Sequence, residues 1–591
     1  MRAKWLAAAA ASAWLVAGST APAPQSGSAA SLFAFVSSDL CSPAGARAQQ
    51  ALLASFLGVA EAYAQTLPGS PDAPPPLMQG LGDAHMAITT QNPQAQAYFD
   101  QGVRFLHAFN HAEAVRAFKQ AQRLDPDCGM CFWGEAFALG PNINAPMEMT
   151  DAPAAYAAMR AAQARASNAS PAERALIEAL QTRYVETPGD NRSALDSAFA
   201  DAMIAAAEAH PDNDLVQILA AEAVMDTQPW DYWEADQRTP KGRAGDAIER
   251  VETVLARSPN NAGAIHLHIH LVEASFDPWR AEPGAERLAR AAPQAGHLVH
   301  MPGHIFYRIG RFRESIRTNI DAVNADESYI DAFSPSPIYR YGYYPHNLHF
   351  VMTSALMGGD ARTALDYAER LDASIPIEMA AAVPLAQPVK AAPWFARAQF
   401  APPESVLAAA APEEGVSYVT GAWRFARGIA NARLGRFDAA LAEAQEIQNL
   451  IDNGDFSVMT NSGVPAPALL AVYRHIVLGR AHMMQRNYDD AIRELQAAAD
   501  GQRAIPYTEP PYVFYPVRRT LGAAYLMNGQ PAVAEMEFLQ TLIESPNDAY
   551  AYWGLSEARR MRGDRRGANA ARQLFNAAFL GPRNSVALTS L

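Results

Sequence analysis

One spacing constrains this chain more than any other. Between residues 95 and 128, Tyr98, Gly102, Phe105, Ala114, Phe118, Ala121 and Pro126 stand at offsets 4, 8, 11, 20, 24, 27 and 32 of a 34-residue unit. Small residues at offsets 8 and 20 let two antiparallel helices approach, large ones at 4, 11 and 24 fill the space, and proline at 32 stops the second helix. The frame recurs. From 515 it places Gly522, Tyr525, Gly529, Ala534, Phe538 and Pro546, with Thr541 departing from the usual alanine at offset 27. From 421 it places Gly428, Gly435 and Ala440, and from 472 Gly479 and Ala491. Three central units follow it too: Ala281, Ala285, Leu288 and Pro293 from 262; Gly303, Phe306, Gly310 and Ala322 from 296; Ala355, Ala364, Ala368 and Pro376 from 345.

This pattern resembles the tetratricopeptide repeat family, and the resemblance covers most of the chain beyond its leader. It implies an all-α fold: an α-solenoid of helical hairpins wound as a right-handed superhelix, its first helices lining a concave groove. It also implies that offsets 2, 5, 9, 12 and 13 face that groove. Sparse β-branched residues and abundant alanine agree with an all-helical chain. The expected organisation is a leader over 1–64, a linker over 65–94, a first repeat with irregular hairpins over 95–261, and a histidine-rich centre over 262–376. An Ala/Pro-rich connector over 377–420 and C-terminal repeats over 421–591 complete it.

The leader reads as an export signal: Met1-Arg-Ala-Lys precedes an apolar stretch from Trp5 to Gly18, and Ala62-Tyr63-Ala64 offers a small-x-small cleavage site. The periplasm is the expected compartment, where Cys128 and Cys131 are able to pair. With 47 Lys and Arg against 61 Asp and Glu, the net charge is -14, which argues against binding nucleic acid. No apolar run beyond residue 65 is long enough to span a membrane. H-E-x-x-H, G-x-S-x-G, phosphate-loop and dinucleotide motifs are all missing, which removes the usual protease, hydrolase, nucleotidase and dehydrogenase readings.

Eight of the 14 histidines fall between 266 and 349. The repeat frame, set by Gly, Ala and Pro, puts His266 and His270 at offsets 5 and 9 of one unit. It puts His297, His300 and His304 at 2, 5 and 9 of the next, and His346 and His349 at 2 and 5 of the third. All seven are groove positions of successive first helices, whereas His268 points elsewhere. Histidines three or four apart on a helix stack on one side, and neighbouring helices lie about 10 Å apart, so the imidazoles can converge. Seven exceed one tetrahedral shell, so two metal ions fit, or one ion with the rest as acid–base groups. An all-imidazole set suits copper, zinc or iron, and export favours copper. Three histidines on each of two ions would match a binuclear copper centre in ligand type.

Around this cluster, Glu273 at offset 12 is a candidate catalytic group or extra ligand, and Glu222 is a further candidate ligand. Arg308, beside Tyr307, is placed to neutralise a carboxylate or an oxyanion. Two aromatic insertions, 228–243 with Trp230 and Trp233 and 329–344 with Tyr341 and Tyr343, are candidate substrate-stacking loops. The resulting expectation is a metal-dependent oxidoreductase acting on a small organic or peptide substrate in the groove, with a zinc-type hydrolase second. The alternatives are an envelope scaffold that binds a protein partner, and a copper-handling protein without turnover.

Overall fold

The 34-residue frame translates into antiparallel helix pairs stacked along one axis. The computed structural model describes residues 75–591 apart from 190, 334, 335 and 337. The expected leader and its cleavage site therefore lie outside the described residues. Among those described, no strand forms beyond two isolated bridges, Asn142 with Ala145 and Trp233 with Pro240. No helix among the described residues is long and apolar enough to cross a membrane. The architecture is an α-solenoid of tetratricopeptide-like hairpins.

The first hairpin pairs α1 (Pro93–His107) with α2 (His111–Leu124), followed by α3 (Gly129–Ala138). Asn92 starts α1 by accepting the Gln94 amide, with Pro93 in the first turn where its missing N–H costs nothing. Phe118 then packs between two glycines. A Cβ on Gly102 would lie 2.5 Å from its ring, and one on Gly134 2.4 Å. Cys128 and Cys131, at the start of α3, are joined as a disulfide and fully buried.

Helix α4 (Asp214–Asp226) precedes the central region, whose helices include α5 (Ala262–Val272), α6 (Gly296–His300), α7 (Pro302–Arg308) and α8 (Phe312–Ala332). Asn261 caps α5 by accepting the Ala264 amide. Pro302 divides what the frame reads as one first helix into α6 and α7, because it has no N–H to continue the ladder. Met301 at the joint keeps helical angles and packs into the core. A π-helical turn, Tyr339–Tyr343, leads into α9 (Tyr344–Gly358). Buried Asp326 of α8 anchors this junction, accepting from Tyr339 Oη and Asn347 Nδ2 at 2.7 Å each.

The C-terminal array includes α10 (Arg518–Met527), α11 (Pro531–Glu544) and α12 (Ala549–Met561), where Phe538 repeats the role of Phe118 between Gly522 and Gly554. This array returns to the centre. Asn547 Nδ2 donates to the Ile309 carbonyl at 3.0 Å, and the Leu580 amide donates to Gly358 at 2.9 Å. At the first of these contacts Gly310, at φ +72°, admits the Pro546 carbonyl into the space a Cβ would fill. Residues 75–92, expected as linker, run without regular structure yet pack Leu81, Met86 and Ile88 into the core. The Ala/Pro-rich stretch after 377 forms short helices that bury Trp394 and Phe395.

Candidate metal centre

Helix α5 presents His266 and His270, α6 presents His297 and His300, α7 presents His304, and α9 presents His346. The structure gathers these six into two triads. A ring nitrogen of each of His266, His270 and His297 lies within 4.8 Å of the others, and the same holds for His300, His304 and His346. The triads are neighbours, with ring centres 5.8 Å apart for His270 and His304 and 6.0 Å for His297 and His300. The seventh candidate, His349, is half-buried one turn beyond His346 and belongs to neither triad. His268 turns away, as its offset implies, and meets Glu252 at 3.1 Å.

Two rings of the second triad, His300 and His304, have their proton positions set by neighbours. Asn319 Nδ2 donates to the Ser315 carbonyl at 2.7 Å, which turns Oδ1 toward His300 Nδ1 at 2.5 Å. His300 Nδ1 must then carry the proton. His304 Nδ1 faces a Glu273 carboxylate oxygen at 2.5 Å and is protonated for the same reason. Both Nε2 atoms are left as bare lone pairs, yet they lie 2.7 Å apart, with His346 Nε2 3.1 Å from His300 Nε2. Converged lone pairs repel unless something positive lies among them. Tetrahedral bonds of about 2.0–2.1 Å to a zinc-sized ion put ligand nitrogens about 3.3 Å apart, so a small expansion fits this triad to a metal.

The first triad is held less tightly. His270 Nδ1 donates to Glu273 Oε1 at 2.9 Å, and its buried Nε2 has no protein partner. His266 and His297 bring their Nε2 atoms to 3.0 Å, while both Nδ1 atoms are buried without a partner. Burial lowers the pKa of all six histidines, taking His304 to about 3 and His346, with the charge of His304 adding, also to about 3. The imidazoles are therefore neutral and free to donate lone pairs at physiological pH.

The triads are buried. His266 and His300 have no exposed surface, buried Phe109 and Phe350 pack against them, and half-buried Tyr343 and exposed Trp230 stand at their edge. Phe109 sits against three imidazoles, 4.4 Å from His266, 5.2 Å from His297 and 5.8 Å from His270, centre to centre. Phe350 covers His300 and His304 at 4.8 and 4.7 Å. Of the four expected substrate residues, Trp230 and Tyr343 touch the centre, at 5.0 Å from His270 and 5.1 Å from His297. Trp233 instead donates to the Leu271 carbonyl at 2.7 Å and steadies the end of α5. Tyr341 lies beneath the Arg340 guanidinium.

Three expected catalytic groups take other places. Arg308 donates to the carbonyls of Glu273 and Ser275 and stacks on Tyr507, so its guanidinium positions main chain instead of facing an oxyanion. Tyr307 donates to the Phe514 carbonyl and lies behind Phe350, away from the imidazoles. Glu273 is fully buried and bonds ring nitrogens on both triads instead of joining either as a ligand. Glu222 lies outside both triads, where burial pushes it up to about 7 against the opposing pull of Arg183.

Sequence reasoning missed Asn319, Phe109, Phe350 and Tyr507. Two left a trace in the repeat frame. Asn319 occupies offset 24, where Phe118, Leu495 and Phe538 pack against glycine in other units. Phe109 occupies offset 15, a left-handed turn position held in other units by Gly310, Gly359, Gly435 and Gly529, and by Arg486 in one. Phe350 and Tyr507 carry no such mark.

No family model matches this chain, and no curated protein matches it. Several solved structures share the helical-repeat architecture at low similarity. The human IFIT1 dimer with m7Gppp-AAAA is 11% identical over 83% of this chain and 91% of its own, with a TM-score of 0.28. Yeast Tom70 is 12% identical over 83% and 93%, with a TM-score of 0.28. The P58(IPK) TPR domain is 13% identical over 58% and 90%, with a TM-score of 0.19. At such scores no site in those proteins transfers to this one.

Proposed function

We propose that this protein is an exported metalloprotein whose paired histidine triads hold two transition-metal ions, copper before zinc or iron, and that it acts as an oxidoreductase on a small organic substrate. One observation carries the reading: His300 and His304 have their protons committed to Asn319 and Glu273, which leaves their buried Nε2 lone pairs facing one another at 2.7 Å. An all-imidazole donor set suits copper. A redox-active ion held there would supply electron transfer between the substrate and dioxygen; zinc would instead support hydrolysis by an activated water. The chain's own part is to orient the imidazoles through Asn319 and Glu273 and to exclude water with Phe109 and Phe350. Trp230 and Tyr343 would face the substrate. The enclosure favours a small molecule over a peptide laid along the groove. The apolar leader and the Cys128–Cys131 disulfide support export to an oxidising compartment.

Metal analysis of the purified protein, with and without His300→Ala and His304→Ala, tests the reading. The wild type is expected to retain one to two equivalents, and each variant to lose about one. A wild type holding under about 0.1 equivalents after reconstitution would rule it out. Ready release to a chelator without turnover would point to copper handling. A second reading, a scaffold with a protein partner, is favoured by exposed Val533, Met536 and Ile543 along α11. Purification free of metal would support it.

A further inference from the structure

The two triads share one side chain. Glu273 caps the C-terminal end of α5 with no exposed surface, and its two oxygens go separate ways. Oε1 accepts from His270 Nδ1 of the first triad at 2.9 Å, and Oε2 accepts from His304 Nδ1 of the second at 2.5 Å. Its main chain is fixed as well, because Arg308 Nε donates to the Glu273 carbonyl at 2.8 Å. Tyr507 Oη, reaching in from the C-terminal repeats, lies 3.5 Å from Oε2.

We propose that Glu273 couples the two triads, so that the ions load together and the singly loaded protein is a minor species. This rests on the metal reading above. A carboxylate is a rigid plane, and its oxygens move as one. An ion that orders the His304 ring fixes Oε2, and with it Oε1, which holds His270 with its proton on Nδ1 and its Nε2 bare for the second ion. Part of the ordering cost of the second site is thus met by the first. Charge opposes joint loading in part, and the carboxylate limits that cost. Two cations on neighbouring triads repel, and Glu273 is the carboxylate hydrogen-bonded to a ligand of each.

Glu273→Gln separates the two oxygens' roles. The amide offers one acceptor and one donor, so one imidazole meets an N–H and must move its own proton to Nε2, which withdraws that nitrogen from ligation. Copper(II) alone is the probe. In the wild type at one equivalent, native mass spectrometry is expected to show mainly empty and doubly loaded protein. Glu273→Gln is expected to bind its second ion at least about tenfold more weakly. Its first ion should give the electron spin resonance signal of an isolated copper(II), where the doubly loaded wild type shows dipolar broadening between two neighbouring spins. A statistical or mostly singly loaded wild type at one equivalent overturns the coupling without reference to any variant, as does a Glu273→Gln protein that binds both ions as the wild type does. A wild type that binds no copper, zinc or iron overturns the metal reading itself, and the coupling with it.

Discussion

Phe109 joins backbone strain to enclosure of the centre. Its φ of +52° belongs to the left-handed region, where a side chain costs about 1–2 kcal/mol relative to glycine. Four other repeats place glycine there and one places Arg486, at φ +64°; here the ring gains contact with three imidazoles of the first triad. Phe109→Gly is expected to relieve about 1–2 kcal/mol of strain against about 3–5 kcal/mol lost with the ring. The net loss of stability should be near 2 kcal/mol, while copper release to a chelator becomes several-fold faster at unchanged stoichiometry. Release no faster than wild type would show that the ring does not close the site.

Between helices, the contact that defines the hairpin is a large ring seated on glycine. A Cβ on Gly522 would approach the Phe538 ring to 2.9 Å, and one on Gly554 to 2.3 Å, so the helices meet where only hydrogen fits. Phe538→Ala removes a fully buried ring from the joint of α10, α11 and α12 and is expected to cost about 3–5 kcal/mol. The measurement is a urea titration followed by circular dichroism at 222 nm; a loss below about 1 kcal/mol would mean the array holds without this contact. The central repeat uses the same geometry differently. A Cβ on Gly303 would fall 2.3 Å from Asn319 Nδ2, so the packing joint of α7 and α8 becomes the hydrogen-bond seat of His300. This substitution was visible as an anomaly in the repeat frame, but its partner was not, because offset alone does not say where an amide points.

Over the whole molecule, buried histidines set a pH dependence. Burial holds His107 at about 4, and His111 likewise at about 4 with Arg183 adding, below the ordinary 6.5. Between those values the unfolded chain takes up protons that the folded one refuses. Stability from these groups is therefore complete above pH 6.5 and is lost as pH falls toward 4, at up to about 1.4 kcal/mol per pH unit for each. Buried Glu222 and Glu509, raised to about 7 and about 8, contribute with the opposite sign, so the test is a difference: between pH 6.5 and 4.5 the urea midpoint of metal-free His107→Gln is expected to fall less than that of the wild type, by one histidine's share. Equal falls in the two proteins would contradict a buried neutral His107.

The helical-repeat fold and the gathering of histidines on successive first helices could be read from the chain alone, because both depend on spacing. A period places side chains on a face whatever they touch. What spacing could not decide is which neighbours fill the other faces. The split into two triads, the exclusion of His349, the burial of the wall and the reassignment of Arg308 and Tyr307 all depend on partners distant in sequence. Tyr507 lies 234 residues from Glu273, and its approach requires the C-terminal repeats to wind back onto the central ones. Only packing of the full superhelix determines that, since each repeat records its own period and not the sum of the rotations between them.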